Sequence, residues 1–401
     1  MKKSLFFGID GLGFGTQGFS VTSTPFMDSL IDGTWQAAYN GAYSDQAFAG
    51  GILGTPTEQV TVSGPGWSTM LTGVWTDRHG VTGNGAVSFG GGDFANNPPY
   101  LATLKEANPT LSTASYVYWG PIDDYIISSI DNDGDLTNDV NFHQAYGNDV
   151  NAVNAAVAGI GDVGGLDPDA VFISVDLVDG AGHSCGSSGL CYKTAVQTAD
   201  SFVGQALSAI ASRPNFANED WQIVITADHG HRTGGGHGGQ SDLERTIPFI
   251  VASKNLSQGN LPLSFPQAVS HADASPTILD HFGVAIPDHY YGVSRAVGQL
   301  EGDPDINGDG FVQGDGTGTF ENDDVVAFIS LWLQPNTAEN PNPADFNFDG
   351  ITDLSDWIFL NGFDPAMGQA ILSALSVPEP GSLALTLTLI GLLTVRRGRC
   401  W

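Results

Sequence analysis

Short apolar and β-branched runs recur along the first 290 positions, and the main ones stop at clusters of Gly, Asp, Ser and His. Ser4–Ile9 leads to Asp10, Val171–Val175 to Asp176 and Asp179, and Ile223–Thr226 to Asp228. Val117–Tyr118 and Phe249–Val251 read as further buried strands. Between them, Lys193–Arg213 carries Val196, Ala199, Phe202, Val203, Ala206, Leu207 and Ile210 in a stripe of helical period. Strands alternating with helices predict an α/β fold, a mainly parallel sheet with helices on both faces. Ligands of such sheets gather beyond the carboxyl ends of the strands, where these polar clusters fall.

The polar clusters hold a specific set of side chains. Asp10 lies in FFGIDG, Ser63 in SGPGWSTMLTG, Asp179 and His183 in DLVDGAGH, and Asp228, His229 and His237 in TADHGHRTGGGHGG. Carboxylates and imidazoles alternate as two divalent ions require, and the mixed N/O donors suit zinc. Asp179 and His183, four residues apart, can grip one ion from one side of a turn, and Asp228-His229 sets a carboxylate beside an imidazole at a strand end. His237 completes the second ion, with His271 as its chief rival; His231 reads as a neighbour without a ligand role. Ser63 precedes Gly-Pro-Gly and a helical run, so it falls at a helix N-terminus, where free N–H groups and the positive dipole end favour a phosphate oxygen. It can be an N-cap and a nucleophile at once. His79 reads as structural.

In order and chemistry these signatures resemble the alkaline phosphatase superfamily, and within it the type I phosphodiesterase/nucleotide pyrophosphatase group, from about residue 4 to about residue 290. The resemblance implies an alkaline-phosphatase-like sandwich as a catalytic domain over 1–299. It also implies one ion on Asp10, Ser63, Asp228 and His229, a second on Asp179, His183 and His237, and a covalent phosphoseryl intermediate on Ser63. Asn84, 21 residues after Ser63, matches a phosphate-binding asparagine of the family; a plain turn asparagine is the alternative. Sulfatases carry a C/S-x-P-x-R pattern, and here Trp67 stands at the arginine position. The implied activity is hydrolysis of phosphodiester or phosphoanhydride bonds in a nucleotide-like or other phosphate-ester substrate. A phosphomonoesterase is the runner-up, but it would need Arg or Lys near the site, and Tyr118–Tyr125 (YWGPIDDY) has none; Arg232 and Arg245 are the nearest candidates. A non-catalytic calcium-binding surface module is the alternative from another class.

After Glu301 the composition turns to Asp, Asn, Gly and Pro, and two segments over 303–365 resemble calcium loops of the dockerin type. The second, DFNFDGITDLSD, sets Asp345, Asn347, Asp349, the Ile351 carbonyl, Asp353 and Asp356 at the ligand positions, with Gly350 at the sharp turn. The first has Asp305, Asn307 and Asp309, then a Gly/Thr-rich interruption before Asp323 and Asp324. The resemblance implies Ca2+ in a small helical module, with helices on VVAFISLWL and WIFL, and a cohesin-like partner. Residues 376–401 resemble a PEP-CTERM sorting signal: Val377-Pro378-Glu379-Pro380, an apolar stretch Leu383–Val395, then Arg396, Arg397 and Arg399. That implies export to the periplasm, cell surface or beyond, through sorting machinery and with a transient membrane anchor. No signal peptide fits between Met1 and Asp10, so an exported chain would start upstream of Met1.

Charge and cysteines sharpen this picture. Asp and Glu number 44 against 13 Lys and Arg, a net charge of −31, which opposes nonspecific nucleic-acid binding. It does not oppose a phosphate-ester substrate, since metal ions reverse the local field. Cys185 and Cys191 flank GSSGL and would be a disulfide in an oxidising compartment or two thiols in a reducing one; Cys400 lies in the tail.

Overall fold

The computed structural model describes residues 1–295, apart from 15–17, 130–139 and several positions in 255–267; beyond 296 it describes mainly 324–334. Contacts divide the chain into two units, Met1–Leu300 and Glu301–Trp401.

The first unit is built on an eight-stranded sheet: β1 (Lys2–Ile9), β2 (Asn40–Phe48), β3 (Thr113–Val117), β4 (Phe142–Ala145), β5 (Ala170–Val175), β6 (Asp220–Thr226), β7 (Thr246–Ser253) and β8 (Gly259–Asn260). Their order is β4-β3-β5-β1-β6-β7-β2-β8. All run parallel except β7, which is antiparallel to β6 and β2. The apolar runs became the central strands β5, β1 and β6, whose residues are almost all buried because helices cover both faces. One face packs against Pro25–Ile31, Asp149–Gly161 and Leu190–Ala211, the other against Ser63–Thr72, Tyr100–Ala107 and Ala274–Phe282.

The helix expected over Lys193–Arg213 spans Leu190–Ala211, and every residue of its predicted stripe is buried. Arg213 lies just outside it, with its guanidinium bonded to Glu219 at 2.8 Å and to Asp167. Buried Lys3 donates nearby to Asp169 at 3.1 Å and to the Pro168 carbonyl at 3.0 Å. These paired charges sit at the amino-terminal end of the sheet, opposite the polar clusters. The Cys185–Cys191 alternative resolves as a disulfide with Cα atoms 6.4 Å apart.

In the second unit a helix covers Asp324–Leu331, on the apolar run expected there, and Phe328 is buried. Asp324 begins this helix. The other proposed calcium ligands (Asp305, Asn307, Asp309, Asp345, Asn347, Asp349, Ile351, Asp353 and Asp356) and the tail from 376 lie outside the described residues. Among the described residues no helix is long and apolar enough to cross a membrane.

Candidate active site

The carboxyl edge of the sheet collects the predicted side chains. Asp10 follows β1 directly, Asp179 and His183 ride on the helix Leu177–Cys185 just past β5, and Asp228 and His229 follow β6. Ser63 is the first residue of Ser63–Thr72, with Val62 as N-cap. Gly66, one turn in, lets that helix press onto Asp228: a Cβ there would lie 2.8 Å from the Asp228 Cβ.

Around Ser63 the polar atoms converge. His229 Nε2 lies 3.5 Å from Ser63 Oγ, 3.6 Å from Asp10 Oδ1 and 3.3 Å from Asp228 Oδ2. Each carboxylate is held by its other oxygen. The Trp67 indole N–H donates to Asp10 Oδ2 at 3.0 Å, and the Gly11 and His229 amides donate to Asp228 Oδ1 at 3.0 and 2.9 Å. Asp10 Oδ1 and Asp228 Oδ2 are buried with no hydrogen-bond partner. A tetrahedral ion with ligand bonds of 2.0–2.2 Å sets its ligand atoms roughly 3.3–3.6 Å apart, so the separations fit a cation among these four groups. His229 Nδ1 lies 3.2 Å from the Gly230 carbonyl, an arrangement that leaves Nε2 free to ligate a cation.

A second grouping lies alongside. His183 Nε2 is 3.4 Å from Asp179 Oδ2, His237 Nε2 is 3.3 Å from Asp179 Oδ1, and the two Nε2 atoms are 3.0 Å apart. His237 Nδ1 lies 2.8 Å from the Thr61 carbonyl, which again points Nε2 inward. The His183 side chain is 55% exposed, against 0–3% for Asp10, Asp228 and His229. The rings of His229 and His237 stack at 3.9 Å and link the two groupings. His271 is outside these groupings, fully buried behind the Ala227–Asp228 backbone and 5.1 Å from the Trp75 ring. His79 is also buried, with Nε2 3.1 Å from the Thr69 hydroxyl.

Two further residues join the cluster: His231, which the motif reading took as a neighbour without a ligand role, and Asp176, to which it assigned none. Ligand atoms of Asp179, His229, His231 and His237 lie within 4.8 Å of one another, as do those of Asp10, Asp176 and Asp179. The available signal for His231 was its place two residues past His229 in the same Gly/His-rich segment. For Asp176 it was its position three before Asp179 on a helix.

The electrostatics of these acids call for cations. Burial and the neighbouring Asp228 push the Asp10 carboxyl well above its usual range, and burial takes Asp228 up to about 7. Burial, Asp179 and Asp149 take Asp176 to about 7. Burial and His237 hold His229 neutral, well below the usual imidazole range. Asp179 differs: burial opposes its charge, but hydrogen bonds from His231 and His237 outweigh it and hold the carboxyl well below its ordinary value. No Lys or Arg contact compensates the cluster among the described residues. Arg245 is spent on the carbonyls of Gly50 and Gly51 at 3.1 and 2.6 Å, and Arg232, half exposed, lies 3.6 Å from Glu244.

Asn84 accepts from the Gly64 amide at 2.7 Å through its side-chain oxygen, which leaves its NH2 group to offer. This narrows the expectation of open donors at the helix start. The Gly64 N–H is used by Asn84, Pro65 has none, and the Gly66 N–H bonds the Val62 carbonyl at 3.1 Å. Ser68 and Thr69 are committed as well, Ser68 donating to the Gly64 carbonyl at 2.8 Å and Thr69 pairing with Gln59.

Among solved structures the chain is similar to murine ectonucleotide pyrophosphatase/phosphodiesterase 5, an inactive variant in complex with AMP. Identity is 12% and the TM-score 0.52, over 75% of this chain and 100% of that one. It is similar to a phosphonate monoester hydrolase from Silicibacter pomeroyi at 13% identity and TM-score 0.51, over 74% and 76% of the two chains. It is also similar to a putative sulfatase from Bacteroides thetaiotaomicron at 16% and 0.51, over 74% of each. These likenesses show a shared alkaline-phosphatase-like fold. No curated protein matches the sequence. Residues 4–249 match the family described as type I phosphodiesterase / nucleotide pyrophosphatase, and with more than half its length inside that match the chain belongs to this family of alkaline-phosphatase-superfamily hydrolases.

Proposed function

We propose that this chain hydrolyses phosphodiester or phosphoanhydride bonds through a phosphoseryl intermediate on Ser63. The observation that carries this is the Ser63 hydroxyl 3.5 Å from His229 Nε2, a nitrogen that also lies at ligand spacing, 3.3–3.6 Å, from two buried, unpartnered carboxylate oxygens. Asp10, Ser63, Asp228 and His229 would hold one divalent ion, and Asp179, His183 and His237 the other. Zinc, favoured by the N/O donors, would supply the positive charge that lowers the serine pKa and steadies the departing oxygen. Ser63 Oγ gives up its proton to solvent and forms the new bond to phosphorus while the bond to the leaving oxygen breaks, the electron pair going with that oxygen. Water then attacks phosphorus from the vacated side, the Oγ–P bond breaks, and Oγ regains a proton as the water releases one. Throughout, the Asn84 NH2 donates to a nonbridging oxygen without adding charge.

The site's cation-poor walls set the substrate class. A monoester dianion would face Asp176 and Asp179 with no Arg or Lys contact among the described residues to balance it, whereas a diester carries one charge fewer. Metal-loaded protein should therefore show higher kcat/KM on a bis-aryl phosphate than on the mono-aryl phosphate with the same leaving group. The reverse order would refute the diester reading.

For the C-terminal unit we infer a calcium-binding module with a cohesin-like partner, and export directed by the tail. Supporting this are the carboxylate spacing of Asp345–Asp356, the Val377–Pro380 motif with its apolar stretch and arginines, and the Cys185–Cys191 disulfide, which suits an oxidising compartment. Calcium added to the metal-free full chain should raise helical signal, and Asp345→Ala with Asp356→Ala should abolish the rise. Tail-intact protein in the cytosol of the native cell would overturn the export proposal.

A further inference from the structure

His231 is 1% exposed and lies two residues beyond His229, inside the site but in neither proposed ligand set. Its Nε2 is 2.7 Å from Asp179 Oδ1. That is a hydrogen-bond length, shorter than the 3.0–3.6 Å separations among the proposed ligand atoms. The contact therefore has a proton in it, and Nε2–H donates to the carboxylate. The other ring nitrogen, Nδ1, is buried with no hydrogen-bond partner, so satisfying its own polar atoms does not explain where this ring sits.

The chain instead keeps a slot for the ring. A Cβ on Gly182 would lie 2.5 Å from the ring atoms, and one on Gly11, whose φ is +71°, would lie 3.0 Å from Cδ2. The Tyr192 ring meets the imidazole edge-on at 6.1 Å, and its hydroxyl accepts from the Gly13 amide at 2.8 Å and donates to the Gly11 carbonyl. Ser187 donates to the His231 carbonyl at 2.8 Å and pins the backbone. Asp179 needs such a holder because its nearest acidic neighbours, Asp10 and Asp176, repel it.

We propose that His231 is a positioning residue for the second ion: its Nε2–H fixes the Asp179 carboxylate so that its oxygens face His183 and His237. This rests on the reading of Asp179 as a metal ligand. Outer hydrogen-bond partners of this kind are worth about 10–100-fold in metal affinity.

Metal-free full-length protein is titrated with zinc against a chromogenic chelator, and the melting temperature of each metal-free form is recorded. His231→Phe fills the slot but removes the donor; His231→Gln returns an amide N–H near the position of Nε2. H231F should bind the second zinc about 10–100-fold more weakly with the first unchanged, and H231Q should stay within a few-fold of wild type. Undiminished second-zinc affinity in H231F overturns the proposal, as does an H231Q loss as large as that of H231F. Should H231F fail to fold, H231Q decides alone: near-wild-type binding supports the donor role, and loss of the second zinc overturns it. Wild-type protein that takes up fewer than two zinc ions removes the underlying ligand reading instead, which separates the two failures.

Discussion

Ser63→Ala should lower diester hydrolysis by at least ~10³ in kcat, because it deletes the atom that forms the covalent bond. Folding should survive. The side chain makes no helix-capping hydrogen bond, Val62 serves as N-cap, and the neighbours at positions 64–72 hold the helix in place. Loss of the hydroxyl leaves Asp10, Asp228 and His229 to retain the first ion, so zinc content should stay near two per chain. Ser63→Thr, which keeps a hydroxyl, should retain most of the rate. Turnover of Ser63→Ala close to wild type would end the phosphoseryl mechanism, since Ser68 and Thr69 are already engaged inside the helix.

The second large effect concerns stability without metal. Burial raises Asp228 from the ordinary carboxyl range to about 7. Below pH ~4 it is protonated in both folded and unfolded chains. As pH climbs toward 7 the unfolded chain gives up that proton while the folded one keeps it, so this group takes stability away across that window. A shift of that size amounts to a few kcal/mol by pH 8. His79, His229 and His271, held neutral by burial, act in the opposite sense as the unfolded imidazoles discharge near pH 6.5. The quantity to follow is therefore the difference between wild type and Asp228→Asn in chelator. The variant should be equal to wild type near pH 4 and increasingly more stable toward pH 8. Added zinc should reverse that order, because the amide removes one ligand charge from the first ion. A variant less stable than wild type in chelator at pH 8 would sink the account.

The sheet was legible where strands are buried on both faces, because continuous apolar runs such as Phe6–Ile9 admit no other use. Strand β2, NGAYSDQAF, was not: a register shift between Ser44 and Ala47 breaks its alternation, and it pairs with the one reversed strand, β7. β4 was missed too, being four residues on a half-exposed edge. In the site, motif spacing located the side chains at the correct end of the sheet because strand ends fix where the following residues start. Spacing could not say which partner each nitrogen would meet. The use of the Gly64 amide by Asn84, the grip of Trp67 on Asp10 and the contact of His231 with Asp179 all join segments far apart in sequence.

The unequal burial of the two proposed ion positions has a consequence for the order in which they exchange. Asp10, Asp228 and His229 are sealed, with the Trp67 indole closing one side of Asp10, while His183 is open to solvent. An ion among the sealed groups would have far less solvent access than one beside His183. On the proposed two-ion reading the outer ion would therefore exchange first, and a brief chelator exposure should leave a one-ion protein that keeps the groups around Ser63 loaded but has lost the ion on Asp179, His183 and His237. If the proposed function holds, hydrolysis in scarce zinc should fall with departure of the outer ion before the inner one is lost.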